Sequence, residues 1–253
     1  MYAPERHRAI VDRVATGGRA SVNDLADLLD VTPETIRRDL TELEKQGLVR
    51  RVHGGAIPVR RLGFQPTVDS RNNVRVEEKA RIAQAALEEV PLEGAIIVDS
   101  GTTTGRLAAL LPHDRQLTVV TNSVQHAIAL ANRDNITVLL LGGRVRGRTL
   151  ACVDSWAIQS LKGITADVAF VGADGISVER GLTTPDRTEG EIKAAMLAAA
   201  RRTVVLADNT KFGDEHFANF GRVEDIDVII TDRGLEAEVA QEIEAAGPMV
   251  VRA

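Results

Sequence analysis

Apolar positions change their period once along this chain. Between residues 5 and 45 they recur at helical spacing, and from about residue 95 they come as short β-branched runs separated by amphipathic stretches. Ala9, Ile10 and Val14 mark a first helix over residues 5–14, which Gly17-Gly18 stops. Ser21, followed three residues later by Asp24, predicts an N-cap with a variant capping box for a second helix. Val22, Leu25, Ala26, Leu28 and Leu29 give that helix its apolar face, and it ends near Asp30. Thr32-Pro33 restarts the chain as a third helix, because a threonine caps free N–H groups and proline at the first helical position loses nothing. Its stripe is Ile36, Leu40 and Leu43. At about 100° per residue, Glu34, Arg38, Thr41 and Lys45 then point outward, with Thr35 and Arg37 on the flanks. A short helix, a tight turn and a helix with this outer face make a helix-turn-helix, whose second helix can read a major groove.

Gly47 supplies a stop after the third helix. Residues 48–56, LVRRVHGGA, read as a basic hairpin with a Gly-Gly turn, which is a wing. Charge sharpens this reading. The chain has 253 residues and a net charge of −5, unpromising for a nucleic-acid binder. Residues 1–61, however, hold 11 Lys/Arg against 9 Asp/Glu, and residues 62–253 hold 20 against 27. From Leu48 to Arg61 there are four arginines (Arg50, Arg51, Arg60, Arg61) and His53 with no acid, which suits a segment lying along a phosphate backbone.

Pro58, Gly63 and Pro66 interrupt the pattern, so the expected division is a DNA-binding domain over 1–57, a linker over 58–73 and a second domain over 74–253. The second domain opens with a helix over residues 74–90. Strands are then expected at 95–99, 117–121, 137–141, 168–172, 203–207, 228–231 and 249–251, most of them separated by helical segments. The fold class is α/β: a winged helix-turn-helix followed by a Rossmann-like, mostly parallel sheet covered by helices. In such sheets ligands bind beyond the carboxyl ends of the strands. The first strand runs into Asp99, Ser100, Gly101, Thr102, Thr103, Thr104 and Gly105, opening directly into a helix. Hydroxyls and free N–H groups there can surround a phosphate. Neither GxxxxGK[ST] nor GxGxxG is present, so a nucleotide is not the default ligand. Later strand ends add Thr121 and Asn122, Gly142 and Gly143, Asp174, and Asp208 with Lys211. Lys193 is a further candidate cation, and carboxylates can take sugar hydroxyls. One cysteine, Cys152, and scattered histidines predict neither a disulfide nor a metal site, and no cofactor is expected. No apolar run is long enough to span a membrane and MYAPERHRAI has no signal-like apolar stretch, so a cytoplasmic protein is expected.

The segment VTPETIRRDLTELEKQGLVRRVHGGA, residues 31–56, closely resembles the winged helix-turn-helix of the DeoR family of transcriptional regulators. SGTTT, TNS, LGG, GADGI and LADNTKFG recur in the order of that family's C-terminal sensor domain, so the resemblance spans nearly the whole chain. It implies operator binding through Ser21, Thr32, Pro33, Glu34, Thr35, Arg37, Arg38, Thr41 and Lys45. Arg37 and Arg38 would touch bases or phosphates, while Arg50, Arg51 and His53 reach the backbone from the wing. It also implies a sensor fold similar to ribose-5-phosphate isomerase, a phosphorylated sugar as effector, and a homo-oligomer that reads paired half-sites. MYAPERH and HGGAIPVRRLGFQPT most resemble fructose-operon repressors, which implies fructose 1-phosphate. An isomerase is the competing reading. It needs a positioned carboxylate base and a group to stabilise an enediolate. Asp174 and Lys193 are available, but the enzyme's G-A-D-E pattern is broken by Gly175, and Glu189 and Glu191 read as solvated helical glutamates. A regulator that is not an enzyme is therefore expected.

Overall fold

Pro4 in its first turn and Gly18, in a left-handed conformation just past its end, bound helix α1 (Ala3–Gly17) of a computed structural model. The structure describes residues 2–45, 48–52, 54–58 and 65–253, with only the backbone of Ala15, Thr16, Arg50 and Pro58. The chain forms two units, Met1–Pro66 and Thr67–Ala253. In the first, strand β1 (Ala20–Ser21) leads into α2 (Val22–Leu29), where the Ser21 hydroxyl accepts the Asp24 N–H at 3.1 Å. Asp30, at φ +51°, ends that helix. The Thr32 hydroxyl accepts the Thr35 N–H at 3.2 Å and starts α3 (Pro33–Lys45). Ile36, Leu40 and Leu43 of α3 pack with Ile10, Val14, Leu25 and Val49 in one core. Strands β2 (Val49–Val52) and β3 (Gly55–Pro58) form the wing, and β1 completes an antiparallel sheet ordered β1-β3-β2.

The expected Gly-Gly turn is divided. Val52 pairs with Gly55, and Gly54, at φ +78°, lies before the strand and not within it. Gly55 belongs to the strand. Its lack of a side chain matters because a Cβ there would lie 2.1 Å from the Ala20 carbonyl oxygen. The glycine lets β1 close onto the wing.

The second unit begins earlier than residue 74. Of the expected linker, residues 59–64 lie outside the described residues, Pro58 ends β3, and α4 (Val68–Asn72) belongs to the second unit. The Val68 N–H donates to the Arg148 carbonyl, and Lys79 Nζ on α5 (Val76–Ala86) donates to the Arg71 carbonyl at 2.7 Å. These bonds satisfy backbone groups that a free linker would leave to water.

The remaining elements follow in chain order. They are β4 (Glu93–Val98), α6 (Thr102–Leu110), β5 (Gln116–Thr121), α7 (Val124–Leu130), β6 (Ile136–Leu140), the hairpin β7 (Arg144–Arg146) and β8 (Ala151–Val153), α8 (Ser155–Leu161) and β9 (Ala166–Gly172). Then come β10 (Gly175–Ser177), β11 (Gly181–Thr184), α9 (Arg187–Ala198), β12 (Ala200–Leu206), β13 (Ala218–Gly221), β14 (Val228–Thr231), α10 (Ala237–Ala245) and β15 (Met249–Arg252). All seven strands expected of the main sheet are present, parallel throughout, in the order β15-β14-β12-β9-β4-β5-β6. Alternate residues serve opposite faces. Ile97, Val120, Val171 and Val205 pack with Ala157 of α8 and Ile192 of α9, while Ile96, Val98, Phe170 and Val204 pack with Ile82 of α5 and Leu107 of α6. Both faces are covered, so the strands read as continuous apolar runs. The direction of sheet growth reverses between β4 and β9, and this reversal opens the crevice in which α/β sheets hold ligands.

Candidate functional site

On α3 the burial pattern follows the helical spacing. Glu34, Arg37, Arg38 and Lys45 are exposed, and Thr35 and Thr41 are half-buried. Arg37 pairs with Glu34 at 3.1 Å, within the exposed face. Arg38 and Lys45 form no ion pair among the described residues. The wing is tied to this helix. The Arg51 N–H donates to Glu44 Oε1 at 2.8 Å, and the Arg51 guanidinium donates to the Thr41 hydroxyl at 2.9 Å. Ser21 and Thr32 use their hydroxyls as helix caps, and exposed Pro33 opens α3. His53, Arg60 and Arg61 lie outside the described residues, as does the side chain of Arg50.

Sequence reasoning missed the group that orients this helix. Asp39 lies on the buried side of α3, where Arg6 Nε donates to it at 2.6 Å and His7 Nε2 contacts it at 2.9 Å. Burial pushes its carboxyl up, but Arg6 and His7 outweigh that and hold it below its ordinary value. A carboxylate beside Leu40, three residues after Ile36, is a signal that a cation must come from elsewhere.

Asp99 follows β4 and Gly172 ends β9, so the reversal of the sheet falls between them. The Gly172 N–H donates to Asp99 Oδ2 at 3.1 Å. Lys193 of α9 donates to the same oxygen and to the Gly172 carbonyl at 2.9 Å, with Phe220 under its ammonium at 5.6 Å. Burial drives the Asp99 carboxyl up against the opposing pull of Lys193. Its other oxygen, Oδ1, is buried without a partner.

The loop after Asp99 is braced from below. The Ser100 N–H donates to Asn122 Oδ1 at 2.8 Å, the Thr121 hydroxyl donates to the Val98 carbonyl at 2.6 Å, and the Thr104 hydroxyl donates to the Asp99 carbonyl at 2.6 Å. Thr104, Thr121 and Asn122 therefore shape the loop. Gly101 is extended, and α6 starts with no side-chain cap, which leaves the N–H groups of Thr102, Thr103 and Thr104 open. Behind it, His126 is held neutral, its value driven down to about 4 by burial.

Asp174 follows β9. Its carboxylate accepts from the Thr184 hydroxyl at 2.8 Å and lies 3.6 Å from Arg71. Burial raises it, but Arg71, Lys211 and Lys193 overcome that and keep it ionised. Asp208 is buried, accepts from the Thr210 N–H at 3.1 Å, and is held low by Lys211 and Lys79 against its own burial. Three cations here were missed by sequence reasoning: Arg71, Lys79 and Arg106. Burial, then the fields of Lys211, Arg71 and Arg106, pull Lys79 down to about 8 despite Asp208. Arg71 and Arg106 each keep a buried Nε without a partner. Lys79 stands in the stripe of Ile82, Ala83 and Ala86, where a lysine signals a buried anion or its binding site.

Other candidates lie differently. Gly142 is exposed, and Gly143, at φ +127°, packs against Val153 and Ala157, where a Cβ would lie 2.5 Å from the Val153 carbonyl oxygen. Glu189 is not a solvated glutamate. It is buried, accepts from Arg146 at 2.6 Å and from the Thr149 hydroxyl, and ties the β7–β8 hairpin to α9. Glu191 is paired with Arg187 at 2.9 Å on the surface of the helix. Among the described residues no cluster of His, Cys, Asp and Glu is placed to hold a metal ion, and no helix is long and apolar enough to cross a membrane.

Comparison with known proteins follows this division. Residues 6–61 match the DeoR-like helix-turn-helix domain and residues 74–233 match the DeoR C-terminal sensor domain. The HTH-type transcriptional regulator GlpR of Haloferax volcanii is 41% identical over 99% of this chain and 98% of its own length. The glycerol-3-phosphate regulon repressor of Escherichia coli is 31% identical over 95% of each chain. Among solved structures, ribose 5-phosphate isomerase A of Neisseria gonorrhoeae is similar over 53% of this chain and 52% of its own, with 20% identity and a TM-score of 0.40, too distant to bear on chemistry. With both domains matched in order and relatives aligned along almost its full length, the chain belongs to the DeoR family of DNA-binding transcriptional regulators, and not to the isomerases.

Proposed function

We propose that this regulator represses a sugar-utilisation operon in the cytoplasm and is released from its operator by a phosphorylated sugar. The observation that carries this reading is the uncapped N-terminus of α6, a helix whose Arg106 acts on Lys79 together with Arg71 and Lys211. Open N–H groups at a helix start, threonine hydroxyls and several cations form an anion site that can hold a phosphate. Asp99 Oδ1, buried without a donor, and the carboxylates of Asp174 and Asp208 are acceptors for sugar hydroxyls. One relative is named for a glycerol-3-phosphate regulon. Fructose 1-phosphate is the first effector to test, from the resemblance of the N-terminal and post-wing segments to fructose-operon repressors.

On DNA, the exposed Arg38 and Lys45, with Thr35 and Arg37 beside them, read an operator half-site, and a homo-oligomer reads two. Ligand needs only to favour the weaker-binding state. A coupling of about 1–3 kcal/mol changes operator affinity roughly 5- to 150-fold.

The test is a thermal-shift series with fructose 1-phosphate, glycerol 3-phosphate, other sugar phosphates and the unphosphorylated sugars. A phosphorylated sugar is expected to raise the melting temperature with concentration, as any ligand specific to the native state does. Thr103→Glu is expected to abolish that rise and leave operator binding intact. Equal stabilisation by unphosphorylated sugar, or a full response in Thr103→Glu, would move the phosphate site elsewhere.

A further inference from the structure

The main sheet has two edges, and they are finished differently. On β15 the outward Val250 N–H is taken by Glu244 Oε1 at 3.3 Å, a charged side chain that blocks further pairing. Among the described residues the β6 edge has no such device. The Leu141 N–H donates to the Thr121 carbonyl, and in a parallel ladder alternate residues face the same way, so Val138 and Leu140 turn their N–H and C=O groups outward. The strand ITVLL carries no charge and no proline. Leu139 and Leu140 of the strand are themselves exposed, and so is Ile128 of α7, the helix that packs against β6. Edge and apolar surface lie together, where a soluble chain would otherwise place lysines or a bulge.

We infer that β6 pairs with β6 of a second copy, antiparallel about a two-fold axis at Leu139, so that two seven-stranded sheets join into one. This rests on the oligomeric reading above and specifies its surface. A second copy is the occupant because the strand is complementary to itself. Centred on Leu139, Val138 faces Leu140 of the second copy, and the four outward N–H and C=O pairs are satisfied with no like charges opposed. Leu139 then meets Leu139 of the second copy in a non-hydrogen-bonded pair, and the flanking apolar side chains are drawn out of water. A charged partner would find no counter-charge on this strand.

The experiment measures the mass of the full chain by light scattering during size exclusion, for the wild type, Leu139→Lys, Leu139→Cys and Met249→Cys. Leu139→Lys sets two ammonium groups opposite each other and is expected to halve the mass, while keeping the wild-type circular dichroism and the thermal shift with sugar phosphate. Leu139→Cys is expected to cross-link on mild oxidation, because Cα atoms about 4.5 Å apart in such a pair suit a disulfide. Met249→Cys on the other edge is expected not to, and the native Cys152 is buried. The cross-link decides the matter if the lysine variant fails to fold. A wild-type oligomer that survives Leu139→Lys and does not cross-link through Leu139→Cys would overturn this interface and leave the oligomeric reading standing. A wild-type monomer at micromolar concentration would overturn both.

Discussion

Arg38 and Lys193 are both cations assigned to anionic partners, yet they are held in opposite ways. Arg38 stands in water on α3, with no ion pair among the described residues. Lys193 is 5% exposed and fixed by Asp99, the Gly172 carbonyl and Phe220. The same contrast runs through both units. Helix α3 presents exposed charge to a long polyanion, whose counterions supply much of the binding free energy. The sheet instead buries its charges beforehand, so that a small ligand at the proposed site would meet groups already desolvated and oriented. On the proposed function, one unit gains affinity from exposed number and the other selectivity from enclosed geometry.

The largest expected effect lies in the enclosed set. Lys193→Met leaves the Asp99 carboxylate buried without its cation, a loss of about 3–5 kcal/mol and on the order of 10 °C in melting temperature, read by calorimetry. Replacing both, as Asp99→Leu with Lys193→Met, is expected to recover much of that stability and none of the response to sugar phosphate. Next comes Asp39→Ala, which removes the anchor between α1 and α3 at about 3 kcal/mol. Operator binding is expected to fail while the thermal shift with sugar phosphate persists, and loss of both would deny that the two units act as described.

Smaller effects sharpen the contrast. Arg38→Ala is expected to weaken operator binding by about 1–3 kcal/mol, measured by anisotropy, with sugar-phosphate affinity unchanged. Raising salt is expected to reduce operator affinity steeply and effector affinity little. The smallest is a pH effect at Lys79. Its folded value of about 8 lies below the ordinary 10.5, so between these the unfolded chain holds the proton and the folded one does not. Stability of the ligand-free protein is thus expected to rise with pH across that window. Bound phosphate favours the charged ammonium, so effector affinity is expected to fall as pH passes 8, and Lys79→Met to remove both trends.

The main sheet was legible because its strands are buried on both faces and announce themselves as β-branched runs, as at residues 168–172 and 203–207. The strand-end loops followed, since Asp99 to Thr104 and Asp174 carry chemistry a plain turn does not need. What stayed hidden depends on partners far apart in the chain. Asp39 finds Arg6, 33 residues away, and Arg71 approaches Asp174 across more than a hundred residues. Lys79 interrupts an apolar stripe and so reads as noise in a periodicity argument. The strands β7, β8, β10, β11 and β13 were missed because they are three or four residues long; β7, β10, β11 and β13 also contain glycine, threonine, arginine or asparagine in place of an apolar run, and β8, Ala-Cys-Val, is too short to show a period. Helix α4 was hidden for a similar reason, since it has one buried apolar residue, Val68.

The central claim is that a phosphorylated sugar, sensed at the α6 end of the sheet, controls DNA binding by α3. Its most direct test follows the anisotropy of a labelled duplex, selected by this protein from a random pool, as fructose 1-phosphate and other sugar phosphates are added to the preformed complex. Release is expected with at least one sugar phosphate, with none by the corresponding free sugar and none in Thr103→Glu. A complex whose affinity is unchanged by every sugar phosphate that stabilises the protein against heat would contradict it.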